Sequence, residues 1–132
     1  MTKKQIKKLD ELWSFAVKEK DGFKCKFPNC KTDKYLNAHH IVKRQFKSLR
    51  WDLDNGITLC SGHHTFKNNS AHVDEINFLK ILKGLKINYN KLYKRRFEQN
   101  NFDYNDILQK LLEQAKEKKL IESIKKIEKC IK

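Results

Sequence analysis

Proline is almost missing from this chain of 132 residues: Pro28 is the only one, and from Val73 onward, where the apolar spacing is helical, there is none. Without that breaker the second half of the chain can be helical nearly throughout. No run of eighteen apolar residues exists, which excludes a membrane-spanning helix, and "MTKKQIKKLDEL" has no apolar stretch behind its lysines to act as a secretion signal. A soluble, cytoplasmic protein is expected, with neither a membrane partner nor a small-molecule substrate. Acidic residues are scarce as well: sixteen Asp and Glu against thirty Lys and Arg leave a net charge of +14. Such an excess repels itself unless a polyanion balances it, so nucleic acid is the first partner to expect. Four cysteines are present, and in a chain of this class thiols stay reduced, which makes metal binding the better reading of any that cluster.

The length suits one compact unit with an appendage, and no internal repeat is visible. Ile6, Leu9, Trp13 and Ala16 recur at three- and four-residue steps, which predicts an amphipathic helix over residues 3–20, stopped by Asp21-Gly22. From Phe23 to Cys60 the texture changes to short segments and turns, read as a small β-hairpin with a long basic loop. "HHTFKNN" suits a short helix ending at "NNS". Ile76, Leu79, Ile81, Leu82 and Leu85 mark another helix, "KLYKRRF" a basic segment, and residues 105–132 a long final helix that Asn105 can cap. Within it the step from Ala115 to Leu120 is five residues, which breaks any coiled-coil seam and predicts packing on its own domain. The expected fold class is α+β, with a unit over 1–85 and a basic helical extension over 86–132.

Cys25 and Cys30 are separated by four intervening residues that include Pro28-Asn29, and Cys60 and His63 follow with two residues between them. Two short-spaced pairs of thiolate and imidazole ligands are how small proteins assemble tetrahedral zinc, and four protein ligands leave no open position. Cys25, Cys30, Cys60 and His63 are therefore expected to hold a structural zinc. Cys130 has no partner spacing and reads as a small apolar filler or a free thiol.

The stretch "LNAHHIVKRQFKSLRWDLDNGITLCSGHH" contains two adjacent histidine pairs, His39-His40 and His63-His64, and His72 follows. Neighbours on a strand face opposite ways, so the two members of the first pair must have different jobs. The order "AHHI" at 38–41, "NGITLC" from Asn55 and "HH" at 63–64 resembles the HNH endonucleases, whose core is the ββα-metal unit. The longer pattern resembles small phage-type HNH proteins with a zinc-stapled hairpin, including those from recombination regions of lambda-like phages. It covers about residues 10–80 and stands on this joint pattern, not on any one residue.

That resemblance implies an endonuclease in which His40 is the general base, His39 a metal ligand, His64 the histidine completing the motif and Asn55 the central Asn. A neutral imidazole, with a pKa of about 6.5, can take a proton from water at physiological pH. A divalent cation (Mg, Mn, Ni or Zn) beside the phosphate would neutralise charge that builds in the transition state. His63 departs from the family pattern, which has a second Cys there. For the active metal's further ligand His72 is preferred, as imidazole suits a transition metal, and Asn68, one helical turn beyond His64, is the fallback.

Lys43, Arg44, Lys47 and Arg50 lie between the proposed strands with no acid before Asp52. They are the expected phosphate contacts, Arg50 the nearest to the reacting group. The expected substrate is double-stranded DNA, with RNA left open because these residues do not distinguish the two, and other phage or recombination proteins are the further partners. A non-catalytic zinc-stapled DNA-binding or recombination accessory module is the alternative.

Overall fold

The computed structural model describes residues 1–98 and 102–131. Helix α1 (Lys3–Lys20) starts on a capping box in which Thr2 and Gln5 satisfy each other's backbone amides, and Gly22 turns the chain away at φ +69°. The strands β1 (Leu36–His40) and β2 (Gly56–Cys60) form one antiparallel pair, with His39 opposite Ile57 and His40 opposite Gly56. The basic connection holds a short helix α2 (Lys47–Arg50) and a 3-10 turn, Leu53–Asn55. A single π-helical turn, Gly62–Phe66, follows β2 directly. Helices α3 (Glu75–Gly84), α4 (Tyr89–Lys94), α5 (Tyr104–Glu117) and α6 (Ile121–Glu128) complete the chain. The protein is thus a mixed helix and sheet fold, as expected at that level.

The hairpin lies between two apolar clusters. Leu9, Trp13 and Val17 of α1 pack with Leu108, Leu111 and Ala115 of α5 and Ile127 of α6 in one of them. Cys25, Ile57, Leu59, Phe78, Leu82 and Leu92 lie in the other. Strand alternation produces this division: Ala38 packs toward the first cluster, and Thr58 donates its hydroxyl to the Val17 carbonyl of α1, whereas Ile57 and Leu59 face the second. The segment expected as an extension, 86–132, supplies side chains to both clusters.

Two local expectations are corrected. The long final helix is two helices, because Lys119 takes φ +58° between α5 and α6, and the five-residue apolar step is where the direction changes. Asp103 caps α5, its carboxylate accepting from the amides of Asn105 and Asp106; Asn105 lies inside the helix. On α3 the buried face is Phe78 and Leu82, while Ile76 and Leu79 are exposed. Among the described residues no helix is long and apolar enough to cross a membrane.

Candidate functional site

The Cys/His cluster is assembled by two tight reversals. Asn29 at φ +65° and a bond from the Cys30 amide to the Phe27 carbonyl fold Cys30 back beside Cys25. The π-helical turn after β2 does the same for His63 and Cys60. His63 Nδ1 lies 3.3 Å from Cys60 Sγ and 3.7 Å from Cys25 Sγ, and the four donor atoms all lie within 4.8 Å of one another. Bonds of about 2.0–2.3 Å to a tetrahedral zinc would place neighbouring donors about 3.3–3.8 Å apart, so the donor set fits such an ion. Phe27 stacks on the His63 ring at 4.0 Å and 4°, which fixes the imidazole plane. Burial pushes the Cys25 thiol up to about 12, so its thiolate is costly unless a cation compensates it. At Cys60 burial acts in the same upward direction, but backbone amides at His63 and Gly62 and the neighbouring thiols outweigh it, and the thiol falls below its ordinary value. The four expected ligands are brought together and could hold a structural metal ion.

A second cluster begins one residue later in the chain. His39 from β1, His64 from the π-helical turn and His72 beyond it bring one donor atom each within 4.8 Å of the others. His64 Nε2 and His72 Nε2 are 3.0 Å apart. His72 gets there because the chain from 63 to 72 closes on itself: the amides of Ala71 and His72 donate to the carbonyls of His63 and His64, at 2.8 and 3.1 Å. The turn at Ser70 therefore delivers His72 to the site. Asn68 sits beyond the helical turn, in an exposed turn of its own, so the same-face argument that made it a fallback ligand does not apply. Burial, followed by the neighbouring His64 and His72, lowers the His39 pKa to about 3. His64 is lowered by burial, then by His72 and His40. Both imidazoles are thus neutral near pH 7, the form that binds a metal. His39 is buried and His72 exposed, so this cluster has an open side.

His40 points the other way from His39, onto α1. Its ring stacks on Trp13 with centroids 3.9 Å apart and planes 8° from parallel. Its Nε2 lies 2.9 Å from the Arg50 carbonyl. A carbonyl only accepts, so Nε2 carries the proton and Nδ1 is left with the free lone pair. Burial lowers the His40 pKa, with the Arg50 carbonyl acting in the opposite direction. Asn55 is fully buried and spans the loop: its Oδ1 accepts from the Val42 amide at 2.7 Å, and its Nδ2 donates to the carbonyls of Val42 and Leu49 at 2.9 and 3.1 Å. It ties together the two ends of the segment that supplies the acceptor for His40.

The four expected cations separate into two groups. Lys43, Arg44 and Lys47 are exposed, and Arg44 is close enough for its charge to depress the His40 pKa. Arg50 is committed elsewhere: Asp10 on α1 binds it in bidentate fashion, at 3.0 Å from Nε and 2.8 Å from Nη2. Spacing in the sequence could not reveal this pair, since the partners are forty residues apart. The same loop is clamped from its other side, where Asp52 accepts from Arg95 at 2.7 Å and from Gln114 at 3.0 Å, and Lys118 pairs with Asp54 at 2.9 Å.

Compared with protein-family models, with curated proteins and with solved structures, the chain finds no match in any of the three.

Proposed function

We propose that the protein is a metal-dependent endonuclease of the HNH, or ββα-metal, type that hydrolyses DNA phosphodiester bonds. The observation that carries the reading is the arrangement at His40: a neutral imidazole with Nε2–H bound to a backbone carbonyl and the lone pair therefore on Nδ1, next in the chain to a three-histidine cluster with an open side. The order of strand, Asn55-anchored loop, strand and helical turn agrees with the resemblance in the sequence.

In this reading His40 Nδ1 accepts a proton from water as the water oxygen bonds to phosphorus and one P–O ester bond breaks. The departing oxygen takes its proton from solvent. Asn55 and the Arg50 carbonyl hold the base in its one useful orientation. His39, His64 and His72 would hold a divalent ion, which when bound supplies positive charge at the phosphate. Lys43, Arg44 and Lys47 contact the phosphate backbone without reading sequence. The Cys25, Cys30, Cys60 and His63 cluster, with a structural zinc, fixes the turn on which His64 sits.

Replacing His40 by Ala tests this. Cleavage of DNA in the presence of Mg, Mn, Ni or Zn is expected to fall by about 10²–10⁴-fold, the usual contribution of a positioned general base, with metal content and DNA binding retained. The alternative, a zinc-stapled DNA-binding module without catalysis, draws on one observation: Arg50, the cation expected nearest the reacting phosphate, is occupied by Asp10. It predicts wild-type protein that binds DNA and cuts nothing with any of these ions.

A further inference from the structure

Helix α1 surrounds His40 more closely than a core helix has to. Trp13 covers the face of the His40 ring and also donates its indole N–H to the Asp52 carbonyl at 2.8 Å. One turn earlier on the same face, Asp10 accepts three bonds: Arg50 Nε and Trp51 Nε1 on Oδ1, at 3.0 and 2.9 Å, and Arg50 Nη2 on Oδ2 at 2.8 Å. Arg50 is therefore held at both ends, its guanidinium by Asp10 and its carbonyl by His40 Nε2–H. Gly56, the cross-strand partner of His40, lets the helix come this near: a Cβ there would meet Trp13 Cζ2 at 2.8 Å and crowd Val17.

An imidazole base has two freedoms that matter, the tilt of its ring and the nitrogen that carries the proton. The flat contact with Trp13 restricts the first, and the Arg50 carbonyl restricts the second only while the Arg50 peptide keeps its orientation. We infer that Asp10 and Trp13 are positioning residues for His40, Asp10 acting through the Arg50 peptide and Trp13 through the ring face. This role rests on the nuclease reading of His40. It also gives Arg50 a purpose other than phosphate binding, since a guanidinium bound on two sides by a carboxylate orients its own backbone.

The test uses the full chain with both metals supplied, and four variants. Asp10 is about one-third exposed, so its substitution leaves the core intact. Asp10→Ala is expected to lower kcat by about ten- to a hundredfold, the scale of a small misplacement of a catalytic group, with KM for DNA and metal content unchanged. Asp10→Asn, which keeps an acceptor for Arg50 Nε and Trp51, should fall between. Trp13→Phe retains a flat ring and should recover most of the kcat that Trp13→Leu loses, each compared at a temperature where circular dichroism shows it folded. Nitrogen-15 NMR supplies a readout independent of turnover: His40 should be a single Nε2–H tautomer in the wild type and a mixture in Asp10→Ala. Asp10→Ala with wild-type kcat and an unchanged tautomer would overturn the inference, as would equal kcat for the two Trp13 variants or a loss carried by KM alone. If His40→Ala abolishes cleavage while the Asp10 variants cut normally, only the positioning role fails; wild-type protein that cuts no DNA overturns the nuclease reading and this role with it.

Discussion

Two clusters of metal-ligating side chains meet at His63 and His64, and they are built differently. The first has four donors, three of them thiols, with Cys25 and His63 buried and Phe27 laid against the imidazole. The second has three donors, all imidazoles, and runs from buried His39 to exposed His72. Four ligands close a coordination shell, whereas three with an exposed edge leave a position for a water or another ligand. Adjacent residues on one helical turn thus belong to different clusters, His63 to the four-donor set and His64 to the three-donor set with an exposed edge.

The comparison breaks most visibly through the first cluster. Cys25→Ser should cost on the order of 5 kcal/mol or more, comparable with the whole stability of a domain this size, read as a large drop in thermal midpoint and loss of tightly bound zinc. Because His64 follows His63 directly, DNA cleavage should disappear with it. His39→Ala sets the contrast. It should abolish cleavage and the weaker metal site while changing stability by roughly 1 kcal/mol or less, since it also removes an imidazole whose burial disfavours its charged form.

Much of this contrast was legible in the sequence, because ligand spacing is a local property. The C-x4-C and C-x2-H pairs specify turns, and strand alternation alone separates His39 from His40. Placement of His72 was not legible in the same way, since it depends on two backbone bonds that close the 63–72 loop. Nor were Asp10 and Trp13, whose partners on the 50–52 loop lie about forty positions away and which looked like ordinary residues of an amphipathic helix. The end of α5 shows a pattern half read: the five-residue apolar step was visible, but the reversal at Lys119 that it marks is a backbone conformation.

Two smaller effects sharpen the comparison. Gly56→Ala forces a methyl group against Trp13 and Val17 and should destabilise by about 1–3 kcal/mol, as overpacking does. It should also lower kcat by displacing α1 from His40, with both metals retained. The mildest probe is pH on the metal-free protein. His39 has a pKa of about 3 when folded against an ordinary 6.5, so between those values the unfolded chain binds the extra proton. Stability should therefore decline as pH falls from 6.5 toward 3, with the slope reduced in His39→Ala under chemical denaturation.

The most direct test of two separate sites is metal content, measured by elemental analysis and by titration on wild type, Cys25→Ser and His39→Ala under conditions where each variant is folded. Two ions of different tightness are expected in the wild type: Cys25→Ser loses the tight one and, with it, the turn that carries His64, whereas His39→Ala loses the weak one alone and keeps the tight one. A single ion lost from both variants alike would contradict the division of the histidine pairs between a staple and an active site.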